Sequence, residues 1–327
     1  MLAHDTTPLP RRWPWRSTLV ITAVTALAGA GGLFVASKHI VDHVERVPGV
    51  AEVLSPESDT FDNYLLVGSD SRDAGDPNTG DSASSSGRRS DTIMVLRVDR
   101  SDGSAALLSI PRDLYVTVYG HTEPSRINAA FSENPAVLVQ TVQTALGVPV
   151  HHYVEVDFVG FKDLVDALGG IELCFERPTR DTNTGLNITK PGCQVLDGVQ
   201  ALAYARSRHY EELIDETWHE DPRSDFGRTA RQRDFVNRCL QSALAQVQQQ
   251  PYRSGELAAA IVAAIRIDEE LDPVSAAGSL RQAVGSGLAS YTVPVADAEV
   301  EGNAVLVMID SSGPVMAWFR GEGPRPT

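Results

Sequence analysis

The chain predicts an α/β domain with a functional site in the loops at one sheet edge, carried behind an apolar amino-terminal segment. Three observations lead there. From residue 61 onward, strand-like apolar runs are interleaved with runs of helical period. Capping residues stand where several of those helices should begin and end. Residues 17–37 form an uncharged stretch about as long as a bilayer-spanning helix.

At 327 residues, 42% hydrophobic, the chain has material for one large domain or two modest ones. Its net charge of -15 and pI of about 4.9 exclude a general nucleic-acid binder, whose footprint would be basic.

The elements follow in order. Arg11, Arg12 and Arg16 precede the apolar run and Lys38 follows it, which places the amino terminus in the cytoplasm by the positive-inside rule. Trp13 and Trp15 suit the membrane interface. Ala26-Leu-Ala28 fits a signal-peptide cleavage site, but the run stays apolar beyond it, which favours a retained anchor. Either reading exports the remainder. The expected division is a cytoplasmic 1–16, an anchor over 17–37, a stalk over 38–60, an extracytoplasmic domain over 61–320 and a tail over 321–327.

Residues 64–67, 92–98 and 105–108 read as strands, with a loop rich in Gly, Ser, Asp and Asn over 74–89. A helix is expected over 134–146 and a strand over 152–156. Asp157 is placed to cap a helix over 158–168, with Gly169 and Gly170 to close it. Residues 171–175 are strand-like, and 176–196 reads as a long loop. Cys174 and Cys193 flank a loop-like stretch within this region, and a bridge closing it would stabilise by about 3 kcal/mol through chain entropy. Two reduced core cysteines are the alternative, and Cys239 reads as a buried thiol within a helix. Asp197 with Gln200 begins a helix ending near Arg206, and a long helix occupies 227–248. Helical material then leads to strands over 291–295 and 304–309, with no internal repeat.

Arginines at loop and helix-end positions of this acidic chain suggest a site for a polyanion such as a pyrophosphate, which guanidinium groups grip bidentately. Arg228 and Gln232 share a helix face in line with Val236, Leu240 and Leu244, at the end where backbone N–H groups favour an anion. Arg206 and Arg208 flank Ser207; in an extended segment both can reach one ligand, or both can balance Glu211 and Glu212. Arg112 follows Ser109-Ile-Pro111 out of a strand, with a plain ion pair to Asp113 as its alternative. Asp70 and Asp91 lie at the facing ends of two consecutive strands, and such a carboxylate pair beside phosphate oxygens suits magnesium; either alone is a cap or turn residue. Phosphate-loop, metal-binding His-pair and serine-elbow motifs are absent, and His151 and His152 read as structural.

Taken in order, Gly68–Arg72, Arg89–Thr92, Ser109–Asp113, Ile127–Ala130, Asp157–Phe161, Val165–Gly170, Leu196–Gly198, Tyr204–Arg208 and Arg228–Gln232 resemble the LytR-CpsA-Psr family of bacterial cell-wall proteins. The resemblance implies a three-layer α/β sandwich with a central mixed sheet flanked by helices, and a hydrophobic groove for a lipid tail. It implies a membrane-anchored phosphotransferase that moves a glycopolymer from a polyprenyl-pyrophosphate carrier to a peptidoglycan hydroxyl. Asp70 and Asp91 match its acidic positions near Mg²⁺ (or Mn²⁺), and Asp70 is the candidate base. Arg112, Arg206, Arg208, Arg228 and Gln232 match its pyrophosphate-binding groups, and Arg89 belongs to the same motif set. The 74–89 loop departs from the family by lengthening the gap between the acidic motifs. The same residues with water as acceptor describe a lipid pyrophosphatase. A regulatory protein of the transcriptional-attenuator type is the third reading, disfavoured because an exported acidic domain meets no DNA.

Overall fold

A mixed seven-stranded sheet organises the molecule. The computed structural model describes residues 43–69, 90–222, 224–250, 254–285 and 288–326. The expected anchor over 17–37, residues 38–42 of the stalk, the 74–89 loop, Asp70 and Arg89 lie outside the described residues, as does the side chain of Asp91; the rest of the stalk is described and buries Val44, Val47 and Val50.

The short β1 (Glu45–Arg46) is followed by the sheet's centre, β2 (Phe61–Ser69), β3 (Ser90–Asp99) and β4 (Ala105–Ile110). Every residue of β4 is buried, so its apolar run reflects helices on both faces rather than alternation. A hairpin of β5 (Tyr115–Thr117) and β6 (Pro124–Arg126) leads to α1 (Asn128–Glu133) and α2 (Pro135–Leu146). The Asn134 side chain accepts from Ala136 N, Pro135 occupies the first turn and Gly147 ends α2 at φ 69°.

Next, β7 (His152–Asp157) runs parallel to β2. Asp157 caps α3 (Phe158–Ala167) by accepting from Gly160 N, and Gly169 and Gly170 follow at φ 76° and 89°. Both ends of that helix match the sequence expectation.

The stretch read as a long loop over 176–196 is instead mostly strand. It contains β9 (Thr179–Asp181), β10 (Leu186–Ile188) and β11 (Gly192–Leu196), the last pairing with β8 (Ile171–Phe175). Three-residue strands separated by turns carry too little period to announce themselves. Cys174 and Cys193 are register partners across β8 and β11 and are joined by a disulfide.

After α4 (Gly198–Arg206) comes a hairpin the sequence did not suggest, β12 (Glu211–Ile214) with β13 (Thr217–Glu220). Its turn residues, Asp215 and Glu216, both adopt positive φ without the glycine or asparagine that marks such turns. The long α5 (Ser224–Gln249) and α6 (Ser254–Ala264) precede β14 (Ile265–Ile267), α7 (Pro273–Gly285) and β15 (Leu288–Thr292). A terminal hairpin, β16 (Val295–Val300) with β17 (Asn303–Met308), leads to α8 (Pro314–Arg320). The strand expected over 291–295 is thus divided between the end of β15 and the start of β16.

Strand order is β1-β14-β7-β2-β3-β4-β15. One face packs on α1, α2 and α8 through Phe131, Leu138, Val142 and Phe319. The other packs on α6 through Val262 and on α7 through Ala276. A second core, centred on Val165, Leu173, Tyr204 and Phe235, joins α3, α4 and α5 to the smaller strands.

The stripe of α5 is rotated from expectation. Phe235, Cys239, Ala243 and Val247 enter the second core, and Val236 packs on the sheet, whereas Leu240 and Leu244 join no core cluster. Cys239 is the expected free thiol, and burial pushes its pKa up to about 12.

Candidate functional site

Several strands meet at one edge of the central sheet. There β2 ends at Ser69, whose register partners are Ser90 in β3 and Asp157 in β7. On the same edge β4 ends at Ile110, and β15 ends at Thr292 opposite Ser109. Ser69 and Ser90 border Asp70 and Asp91 in sequence, and their buried hydroxyls have no hydrogen-bond partner among the described residues. In a protein interior such oxygens are normally satisfied, so among the described residues this edge is short of polar partners.

Arg112 leaves β4 through Pro111. Its Nε lies 3.3 Å from Asp113 Oδ2, while the second oxygen of Asp113 lies 3.5 Å from Arg126 Nε. The ion pair weighed as the plain alternative is therefore present. It also stands in the wall of a cavity of about 350 Å³ bounded by Arg112, Asp113, Arg126, Thr229, Asp297 and Leu306. Thr229 lies beside Arg228 near the amino-terminal end of α5, so that helix end and Arg112 meet across the cavity.

Arg206 is the last residue of α4, and its guanidinium lies 4.3 Å above the Phe158 ring. Phe158 directly follows Asp157 at the sheet edge, so Arg206 arrives at the same end of the sheet. Arg208 follows the cap at Ser207, with its backbone N–H held by Asp181 at 3.1 Å. Arg228 is 2% exposed, and Gln232, 8% exposed, donates its side-chain amide to the Ala205 carbonyl at 3.2 Å. Gln232 thus ties α5 to the last turn of α4. Farther along α5, Arg233 bonds Thr292 Oγ1 at the end of β15 at 2.5 Å, and burial lowers its pKa. These contacts gather Arg112, Arg206 and the amino-terminal part of α5 at one sheet edge.

Sequence reasoning did not single out Arg126, Thr229, Arg231 or Asp181. Arg231 lies inside the quoted Arg228–Gln232 motif, and Arg126 directly precedes the Ile127–Ala130 motif; those positions were the available hints. Arg231 donates to the Ser207 carbonyl at 2.7 Å and to Asp221 at 3.1 Å, over the ring of Tyr210. No ordinary spacing rule connects Asp181 to the segment it holds 26 residues later.

The two histidines are structural. His151 is buried, its Nδ1 accepts from Asn63 N at 3.0 Å, and burial holds its pKa down at about 4. His152 lies against the Tyr64 ring at 4.7 Å. Among the described residues, no group of three or more His, Cys, Asp or Glu is arranged to hold a metal. Among the same residues, no helix is long and apolar enough to cross a membrane.

Comparison with known proteins places this geometry. The LytR_cpsA_psr family model matches residues 35–313. The chain belongs to the LytR_cpsA_psr family. A probable cell wall biosynthesis protein, LcpB of Corynebacterium glutamicum, is 37% identical over 72% of this chain and 54% of its own length. The Enterococcus faecalis TagU, a polyisoprenyl-teichoic acid--peptidoglycan teichoic acid transferase, is 34% identical over 56% of this chain and 54% of its own. The chain spans about half the length of these curated relatives. A solved LytR-Csp2A-Psr enzyme from Actinomyces oris superposes with a TM-score of 0.68 at 25% identity, covering 84% of this chain and 95% of that one. The mixed sheet flanked by helices is thus the fold of this LytR_cpsA_psr relative as well.

Proposed function

We propose that this chain is a glycopolymer–peptidoglycan phosphotransferase. It takes a glycan from a polyprenyl-pyrophosphate carrier and attaches it, through one phosphate, to a sugar hydroxyl of peptidoglycan. The carrying observation is the meeting of Arg112, Arg206 and the amino-terminal end of α5 at one sheet edge. The TagU relative is named as a transferase of a polyisoprenyl-linked wall polymer, which supports the same chemistry here.

Displacement at a pyrophosphate spreads charge over oxygens, and fixed cations placed before the reaction stabilise that charge most effectively. In this reading Arg112, Arg206, Arg208 and Arg228 bind the pyrophosphate, together with Arg89 and Gln232. The acceptor hydroxyl attacks the glycosyl-linked phosphorus and loses its proton to a base, for which we assign Asp70. The bond to the polyprenyl-linked phosphate breaks, so polyprenyl phosphate leaves and a glycosyl phosphodiester remains on the wall. The cavity beside Arg112 has Pro111, Val305 and Leu306 in its wall as well as charged groups, so one edge of the site is apolar.

We assign Mg²⁺ (or Mn²⁺) to Asp70 and Asp91. The two buried hydroxyls of Ser69 and Ser90, without a partner among the described residues, border those positions and fit a hard cation that takes oxygen ligands. Bound there, the ion would neutralise phosphate charge. An anchor over 17–37 would hold the domain outside the cell membrane, beside its lipid substrate, and raise the substrate's effective concentration. The test is removal of the metal. Treatment with EDTA should abolish transfer and added Mg²⁺ should restore it; full activity in EDTA contradicts the metal assignment.

A further inference from the structure

We propose that Asp181 is a positioning residue for the two arginines of the Arg206–Arg208 turn, an inference that rests on the function proposed above. The observation is a buried carboxylate collecting the polar groups of that turn on one oxygen. Asp181 Oδ2 accepts from Ser207 Oγ at 2.7 Å, from Arg208 N at 3.1 Å and from His209 N at 3.1 Å. Its other oxygen accepts from Asn183 N at 2.9 Å, in the turn that joins β9 to β10. Asp181 and Ser207 are both fully buried.

The local geometry requires such a device. Helices commonly close on a residue of positive φ, whose N–H groups fold back onto the last carbonyls. Here the cap residue Ser207 has φ -59° and ψ 123°, so the chain leaves α4 extended and carries the next two N–H groups away from the helix. Buried without partners, those groups would be costly. A single carboxylate oxygen satisfies both together with the hydroxyl, and bonds to an ionised acceptor are the stronger kind. From α5, Arg231 donates to the Ser207 carbonyl at 2.7 Å. The backbone between Arg206 and Arg208 is thus held by a carboxylate from β9 and a guanidinium from α5, and neither belongs to the residues assigned to the pyrophosphate.

A neutral turn would close the helix as well. A buried charge at this point, inside a three-residue strand of a minor sheet, gives the turn one geometry rather than several. Arginine tips sit far from the backbone, so a small rotation at Ser207 moves both guanidinium groups by an ångström or more. Misplacement of that size costs on the order of a hundredfold in rate.

The test is binding of inorganic pyrophosphate by calorimetry, with Mg²⁺ present, alongside transfer kinetics on the full chain. Asp181→Asn should lower kcat on the order of a hundredfold and weaken pyrophosphate binding by the folded protein, with a lower melting temperature because the amide supplies one buried acceptor oxygen in place of two. In an Arg206→Ala/Arg208→Ala background, adding Asp181→Asn should weaken binding no further, because Asp181 acts through those arginines. An equal loss in that background, or wild-type binding by Asp181→Asn alone, overturns the proposal. Should Asp181→Asn not fold, Ser207→Ala decides: it removes one arm of the clamp and should bind pyrophosphate about fivefold more weakly. Wild-type affinity in that variant also overturns the proposal. Unchanged affinity in the Arg206→Ala/Arg208→Ala protein itself overturns the site reading, and this inference with it.

Discussion

Arg97 and Arg206 both lay a guanidinium group on an aromatic ring, yet they serve different ends. Arg97 is 4% exposed, held between Phe61 at 3.7 Å and Trp318 at 4.5 Å, bonded to the Trp318 carbonyl and paired with Asp99. Burial lowers its pKa, and its two terminal nitrogens are bonded within the fold, to the Trp318 carbonyl and to Asp99. Arg206 stacks on one ring at the sheet edge and remains half-buried, in keeping with its proposed role at the pyrophosphate. Replacement separates the two roles. Arg97→Leu should cost about 3 kcal/mol of stability and leave the activity of each folded molecule unchanged. Arg112→Ala and Arg206→Ala should abolish transfer while changing stability by about 1 kcal/mol or less. Unfolding by urea and a transfer assay on each variant read both quantities; full transfer by both site variants would refute the assignment. His151 gives a pH prediction. Its folded pKa of about 4 lies below its ordinary value of 6.5, so its contribution is fully present above pH 6.5 and is lost as pH falls toward 4. That loss is on the order of 3 kcal/mol. Urea midpoints across this range should fall for the native protein and fall less for His151→Gln. At this scale the structural nature of His151 could be read from its place beside a strand. The role of Asp181 could not, because a partner reached through tertiary packing leaves no local spacing to find.

Elements bring these residues together through close backbone approaches. A side chain at Gly198 would come within 2.4 Å of the Lys162 carbonyl, so α4 starts almost in contact with α3. Gly160 approaches the Ala264 carbonyl in the same way, fixing α3 against the end of α6. Because α3 carries Phe158 and α4 carries Arg206, this crossing sets the distance between ring and guanidinium. Gly198→Ala should therefore cost about 1–3 kcal/mol and reduce transfer together with stability, unlike the arginine variants. Wild-type stability and activity for Gly198→Ala would contradict the packing account. Helices with charged or amide caps were legible in the sequence: Asp157 and Asp197 both accept the backbone N–H they were expected to accept. Half of the expected capping box is absent, because Gln200 accepts from Asn187 rather than reaching back to Asp197. The β12–β13 hairpin was hidden by its charge and its glycine-free turn. The face of α5 was misjudged because aliphatic spacing alone ignores Phe235 and the half-polar stripe that meets the second core.

At the scale of the whole molecule, the sheet is a platform with helices on both faces and chemistry-bearing groups along one edge. Its α/β class followed from alternating patterns, and the membership of the LytR_cpsA_psr family followed from many short motifs in one order. What no single motif revealed was the cavity of about 350 Å³, because its wall draws on β6, α5 and the terminal hairpin as well as on Arg112. The central claim is that this edge moves a glycosyl phosphate from a lipid carrier to a wall sugar. Mass analysis of the products formed from a polyprenyl-pyrophosphate glycan carrying an isotopic label in its sugar-linked phosphate tests it most directly. The account predicts that the label appears in a phosphodiester on peptidoglycan, with unlabelled polyprenyl phosphate released. Label recovered only in free glycosyl phosphate, with acceptor peptidoglycan present and unmodified, would contradict it.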